Sequence, residues 1–586
     1  MFDPELFDYW HIAKATLLAA IATLFLVFQQ TRYTFRQTRE AYVTHLQQRE
    51  RNNKAASIIV EATTKNKGKK KNNIIPSVRD AVSADDDDND NGAFVIGFFH
   101  PYCSAGGGGE RVLWKFIQAL GQLKEEEREG KKKTLLTQNR RSKTKKENET
   151  NLHSTATNHG KGDEDIIRRN CRNLSVVVYT VDEPTDNYDQ DVMKKVRDQF
   201  SIGISPSLHI QFVHLHEVKY LLDKPKRLSM IAESWGTVKL AWHALNVINP
   251  HIYIDTTGCA FTFLVAKLLA GCKIGTYVHY PTISSDMLSL VWARRPSYNN
   301  NMQIASNPIV SYVKLVYYTL FAIGYGMVGS LADLTMVNST WTKGHIQQMW
   351  KLVGKIHTLF PPCDTKSLKY LPLSKRENII ISIGQFRPEK DHTLQLTSFA
   401  KLLQLHDGSM KRVDVRLVLI GSCRGEDDEK RVDELRKLSR ELHIQDHVEF
   451  VLNQPYSVLL VYFGRASVGI HTMWNEHFGI GVVEMMAAGL VTVAHNSGGP
   501  KSDIILRPWD FKNNVTSADV PDAATGCLAS TVDEYATAMY EIFGREPDEI
   551  VGIRQCGRNS SERFSDEEFM HSLKEILLSS SLFKLR

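Results

Sequence analysis

Two carboxylates, Glu476 and Glu484, stand with seven residues between them in HTMWNEHFGIGVVEMMAAGLVTVAHNSGGPKSDI (471–504). They flank the start of an apolar helix pattern, VVEMMAAG, that closes at Gly489. The first N–H groups of a helix have no partner inside it and lie at the positive end of its dipole. Phe478, Gly479 and Ile480 therefore offer backbone donors to a diphosphate. Glycine at 479 lets a phosphate come close. Glu484, about one turn further in, reaches a ribose diol beyond the phosphates, as the acidic residue of dinucleotide folds does. Glu476 precedes the helix and faces the sugar, where a carboxylate accepts hydrogen bonds from hydroxyls and stabilises positive charge at an anomeric carbon. One glutamate alone would read as a surface residue of an ordinary helix; two around FGIG read as a site.

Two further segments could serve the same chemistry. IGQFRPEKDH (383–392) follows a strand-like run and presents Arg387 and Lys390, cations that neutralise a departing diphosphate. Gly106 to Gly109 fall between a strand and a helix, where Gly107 and Gly108 allow a glycine-rich turn to approach the diphosphate or the reacting sugar. A flexible loop is the alternative reading of four consecutive glycines. His471, Ser497 and Gly498 share the crevice by position and are assigned no chemistry. No pair of aspartates sits in a loop suited to a metal, since Asp85 to Asp88 fall in a polar tract, so neither metal nor cofactor is expected.

These residues need a scaffold, and strand-like runs supply it. AFVIGFF (93–99), LSVVVYT (174–180), HIQFVHL (209–215), HIYIDT (251–256) and KIGTYVHY (273–280) alternate with helical stretches. A second series comprises NIIISIG (378–384), VRLVLIG (415–421), HVEFVL (447–452), ASVGIHT (466–472) and LVTVAHN (490–496). Alternating strands and helices give parallel sheets covered on both faces. The fold class is α/β, two doubly wound Rossmann-like domains facing a cleft, with boundaries at 92–365 and 366–586.

Outside the domains, residues 9–28 are mostly apolar and close to the roughly 20 residues that span a bilayer. An acidic flank before them and Arg32, Arg36, Arg39, Arg49 and Arg51 after them favour a membrane anchor (1–30) over a cleaved signal peptide. They also place the bulk of the chain in the cytosol. Residues 31–91 read as a polar linker and 124–170 as a low-complexity surface loop. The apolar, aromatic stretch 306–334 reads as a membrane-associated helix, lying in the interface rather than spanning it. Eight cysteines without CxxC pairs suit a reducing compartment. The net charge of +6 comes largely from lysine runs outside the periodic segments, so nucleic acid is not an expected partner. Five N-x-S/T sequons (Asn148, Asn173, Asn338, Asn514, Asn559) are expected to be unused in a cytosolic domain.

The E-x7-E arrangement resembles the signature of retaining GT-B glycosyltransferases. FFHPYCSAGGGGERVLW (98–114), TYVHYPTISSDML (276–288) and WNEHFGIGVVEMMAAG (474–489) narrow the likeness. They are similar to the endoplasmic-reticulum α-1,2-mannosyltransferases that use GDP-mannose to extend a dolichol-pyrophosphate oligosaccharide. The likeness covers roughly 93–120 and 172–570. It implies transfer to Man3GlcNAc2 and then Man4GlcNAc2 for N-glycosylation, on the cytosolic face of that membrane, alongside other glycosyltransferases of the pathway. It also makes His279 a residue that touches the donor sugar, and groups it with Glu476 and Lys390 as catalytic. Relatives place arginine directly after the glycine of the 383–392 motif, where this chain has Gln385, so Arg387 takes that role only from a shifted position. A transferase using another sugar or acceptor, and a non-catalytic scaffold, are the competing readings.

Overall fold

A computed structural model describes residues 22–23, 25–49, 52, 93–144, 159–223, 229–294, 306–351, 353–407, 414–509 and 524–584. The first sheet holds β1 (Phe94–Phe99), β2 (Leu174–Thr180), β3 (His209–His214), β4 (Ile252–Asp255), β5 (Lys273–Val278), β6 (Leu334–Val337) and β7 (Ile356–Thr358), in the order β3-β2-β1-β4-β5-β6-β7. The second holds β8 (Glu377–Ile383), β9 (Arg416–Gly421), β10 (Val448–Leu452), β11 (Ala466–His471), β12 (Val491–His495) and β13 (Cys527–Ala529), in the order β10-β9-β8-β11-β12-β13. The strand pairs of both sheets are parallel; for example β1 runs beside β2 and β4, and β11 beside β8 and β12. Helices around them include α1 (25–49), α2 (Gly108–Thr144), α3 (His159–Arg172), α4 (Ser229–Val247), α5 (Ser285–Trp292), α6 (Pro308–Gly329), α7 (Thr340–Met349), α8 (Ile480–Ala487) and α9 (Asp566–Ser579).

Strands β1 and β2 are buried along their whole length, which is why their sequences run apolar without alternation. Strand order reverses between β1 and β4 in one sheet and between β8 and β11 in the other. Doubly wound sheets bind ligands beyond the carboxyl ends of their strands at that switch point. His100 and Gly384 follow β1 and β8 there, and His471 ends β11. All ten strand-like runs form strands. The short β6, β7 and β13 escaped the reading, because three or four residues are too few to show a period.

Three boundaries differ from expectation. The tract from residue 31 is not linker as far as residue 49: it continues α1, whose Phe35, Tyr42 and Leu46 are buried at spacings of seven and four. Phe35 meets Trp242 edge-on at 5.2 Å, and Arg39 Nη2 donates to Asn249 Oδ1 (3.1 Å) and the Ala270 carbonyl (3.0 Å). A narrow apolar seam among arginines and glutamines hid this face. The 124–170 loop is likewise largely helical, since α2 runs into it and α3 runs out of it. Glu and Lys make solvated loops and good helices alike. Residues 53–92, 145–158 and most of the 1–30 anchor lie outside the described residues.

The third boundary is at the end of the chain. Phe569, Leu573 and Leu577 of α9, with Leu582 and Phe583, join the core of the first sheet, so 566–584 belongs with the first domain rather than the second.

Helix α6 has two faces. Tyr318, Phe321 and Tyr325 join the core beneath, whereas Ile309, Tyr312, Leu320 and Met327 are exposed. It is the one helix among the described residues that is long and apolar enough to cross a membrane.

Phe35→Ala is expected to lower unfolding free energy by about 3 kcal/mol, read by denaturant titration of detergent-solubilised protein. An unchanged midpoint would mean that α1 is a tether and not part of the domain.

Candidate active site

The carboxyl ends of the two sheets enclose a cleft of about 600 Å³. From the second domain, the turn after β8 supplies Gly384, Gln385 and Lys390, β11 ends in His471, and Glu476 to Glu484 follow. From the first domain come Gly106 to Gly109, Arg111, His279 and Asn338.

Glu476 is the most heavily partnered group. Lys390 Nζ donates to its Oε2 at 2.6 Å, His471 Nε2 lies 3.2 Å from the same oxygen, and the His477 N–H donates to Oε1 at 3.2 Å. Burial pushes this carboxyl up, but the Lys390 charge and His471 outweigh it and hold the group well below the usual carboxylate range. The loop carrying it is set by backbone geometry. Asn475 adopts φ +52°, its N–H donates to Ser497 Oγ (2.8 Å), and the Gly499 N–H donates to the Glu476 carbonyl (2.7 Å). Gly498, at φ +58°, has no room for a side chain: a Cβ there would sit 2.2 Å from the Glu476 carbonyl oxygen.

Gly479, at φ +110°, turns the chain into α8, and no side chain caps that helix start. Phe478, Gly479 and Ile480 line the cleft at this terminus. Across from it stands the start of α2: a Cβ on Gly108 would come within 2.8 Å of Ile480 Cδ1. Two helix N-termini, one from each domain, thus converge on one anionic position.

The glycine turn is itself held. Glu110 Oε2 accepts the Gly107 N–H at 2.6 Å, and its other oxygen lies 3.5 Å from His100 Nε2. The Gly107 N–H is therefore committed within the turn, while Gly107 and Gly108 both line the cleft.

His279, directly after β5, is partly buried, and its buried Nε2 has no partner among the described residues. Burial, then the neighbouring His100, lower its pKa to about 4, so its ring is neutral at pH 7. Asn338 Nδ2 donates to the His279 carbonyl at 2.8 Å; this buried sequon asparagine is a structural group of the cleft, with no room for a glycan.

Burial raises the Glu484 pKa to about 7, with Arg111 pulling it down and Asp364 pushing it up. Arg111 was not anticipated. It lies on α2 directly after Glu110 of the GGGGER motif, and its Nη2 donates to both carboxylate oxygens of Asp566 at 2.8 Å. Its partner lies 455 residues away, beyond the reach of any local pattern.

Arg387 is not in the cleft. Phe386 turns into the core and stacks on His392, while Arg387 lines a separate 220 Å³ cavity with Arg431 and Glu434. The expectation that it meets the diphosphate is corrected accordingly; Lys390 is the cation of that motif which reaches the site.

Comparison with known proteins agrees with this geometry. Residues 93–158 and 164–350 match the family described as ALG11 mannosyltransferase N-terminus, and 365–507 match Glycosyl transferases group 1. The chain is 40% identical over 479 residues to the GDP-Man:Man(3)GlcNAc(2)-PP-Dol alpha-1,2-mannosyltransferase of Xenopus laevis, covering 81% of this chain and 85% of that one. Its Homo sapiens counterpart is 40% identical over 502 residues, covering 84% and 87%. Among solved structures, a sucrose-phosphate synthase from Thermosynechococcus elongatus superposes with TM-score 0.51 at 15% identity, over 83% of this chain and 98% of that one. The apo structure of OtsA gives 0.52 at 10%, over 83% and 99%. The structural likenesses show the fold, GT-B.

A buried acid whose pKa is raised holds its proton in the folded state after the unfolded chain has released it. Folding stability therefore falls as pH rises from about 4.5 to about 7. Glu484→Gln should raise stability at pH 8 by on the order of 1 kcal/mol and leave it unchanged near pH 4, as measured by thermal unfolding at both pH values.

Proposed function

The chain belongs to the ALG11 mannosyltransferase family, and from that premise we propose that it transfers mannose from GDP-mannose, in α-1,2 linkage, to a dolichol-pyrophosphate-linked Man3GlcNAc2 and then Man4GlcNAc2. The observation that carries this reading is the convergence of Glu476, Lys390, His279 and the start of α8 on one cleft.

In this reading the donor diphosphate rests on the N-terminus of α8, near Gly108 and Lys390, and the ribose hydroxyls meet Glu484. The mannose then lies between Glu476 and His279. Departure of the diphosphate leaves positive charge on the anomeric carbon, and the acceptor hydroxyl attacks from the same face while passing its proton to the departing diphosphate oxygen, so configuration is retained. Each group's ionisation suits that step. Glu476 stays an anion across the working range and stabilises the cationic centre. His279, being neutral, offers a hydrogen bond to a sugar hydroxyl without adding positive charge beside it. The charge on the leaving group is met by Lys390 and backbone donors, a set that needs no metal.

The acceptor's polyprenyl chain stays in the bilayer, so the cleft must come to the membrane. Support for this lies on the first domain, where the outer face of α6 continues into exposed Trp292 of α5 and Trp235 of α4. We assign this face to the interfacial layer of the endoplasmic reticulum, cytosolic side, with the N-terminus as anchor and other enzymes of the pathway nearby.

On membranes carrying the protein, with GDP-mannose and a lipid-pyrophosphate oligomannose acceptor, Glu476→Ala should cut transfer by about 10² to 10³-fold. Turnover of the wild type with a different nucleotide sugar alone would discard the mannosyl reading and keep the fold. In flotation assays, Leu320→Asp combined with Met327→Asp should reduce vesicle binding of protein lacking residues 1–30 by at least about tenfold. Unaltered flotation would remove α6 from the membrane face.

A further inference from the structure

The loop that presents Glu476 is gripped from the other domain as well as from its own. Asn475 Nδ2 donates to Asp286 Oδ2 at 2.6 Å, across the cleft from the first turn of α5. Asp286 is in turn fixed from α7: His345 Nε2 lies 3.5 Å from Asp286 Oδ2, and its Nδ1 is 2.8 Å from Ser285 Oγ. On the far side of Glu476 the His477 ring lies against Tyr280 at 4.0 Å and near Trp341 at 5.4 Å, both residues of the first domain. The residues immediately before and after the carboxylate are therefore both held by the opposite domain.

We infer that Asp286 is a positioning residue for transfer: through Asn475 it fixes the Glu476 loop at the reacting sugar, so that the site is complete only when the two domains are docked. The inference rests on the reading of Glu476 as the carboxylate that faces the anomeric centre. Its physical basis is the tolerance of such sites. Displacement of a catalytic group by about 1 Å costs on the order of 10²-fold in rate, and Glu476 has no rigid element of its own. It sits in a turn between β11 and α8, with Asn475 already in the left-handed region. Within its own domain, Lys390 and His471 fix the charge of the carboxylate, and the 497–499 turn fixes its backbone. Asp286 adds the one side-chain to side-chain hydrogen bond, among those described, between this turn and the domain that carries His279 and the glycine loop.

A double-mutant cycle on the full-length protein in membranes tests this, using GDP-mannose transfer, GDP binding and thermal unfolding together. Asp286→Ala and Asn475→Gly, the latter chosen because glycine accepts positive φ, should each lower kcat by about tenfold or more. The double variant should be no worse than either single one, because both remove the same contact. Asp286→Asn keeps an oxygen that accepts from Asn475 and should stay within about threefold of wild type. GDP affinity and Tm should be unchanged throughout.

Wild-type kcat in Asp286→Ala, additive losses in the double variant, or losses accompanied by weaker GDP binding and a lower Tm would each overturn the inference; the last pattern would make Asp286 a structural residue. Glu476→Ala, run in parallel, separates the two readings. If it retains transfer, the assignment of Glu476 fails regardless of what Asp286 does.

Discussion

A carboxylate placed in a crevice between two domains must be compensated there, and much of this site is organised around that requirement. Burial alone would protonate Glu476; Lys390, His471 and the His477 N–H prevent it. The partners come from two strand ends: Lys390 from beyond β8, and His471 and the amide from the end of β11 and the turn that follows it. The order of the second sheet, with β8 beside β11, makes this meeting possible. Glu484 lies eight positions on, with no comparable ring of donors, and burial prevails there. Two chemically identical groups are thus set apart by surroundings alone, one a fixed anion and the other close to half-protonated at neutral pH.

The first domain contributes a different kind of restraint. Its glycine turn must lie close to α8, so a side chain at Gly108 would strike Ile480, and its backbone is held by Glu110. The same domain turns the apolar side of α6 outward while keeping Tyr318 and Tyr325 inside. One wall of the cleft and a lipid-compatible surface are therefore built on one domain, linked by α5, which packs on α6 and hydrogen-bonds the Glu476 loop. A substrate with a sugar at one end and a hydrocarbon chain at the other matches that arrangement.

Local signals in the sequence carried the second domain's part of the site well. Glu476, Gly479 and Glu484 lie within nine residues on one turn and one helix, so spacing determines their relative placement. The largely apolar runs of β1 and β2 were equally readable. What could not be read depends on long-range packing. Arg111 matters because Asp566 returns from the far end of the chain, and Arg387 fails because Phe386 beside it is drawn into the core. Composition misled where it was ambiguous: the charged run of α2 reads as loop yet is helical, and the arginine-rich α1 looks like solvent-exposed linker until its narrow buried seam is seen. Asp286 stands within the TYVHYPTISSDML segment, but nothing local marks its role, because its position opposite Asn475 exists only in three dimensions.

The return of α9 to the first sheet has a consequence for biosynthesis. Phe569, Leu573, Leu577, Leu582 and Phe583 complete a core whose other members were made some 210 to 490 residues earlier. A ribosome releases the C-terminal domain, able to close its own sheet, before the N-terminal half has its last layer. Domains usually mature in the order of synthesis; here the half made first must wait, with an apolar groove open beside α2, until residues 566–584 are made and cover it. That interval is a window for chaperone engagement, and loss of residues 566–584 would injure the domain built from residues made long before them.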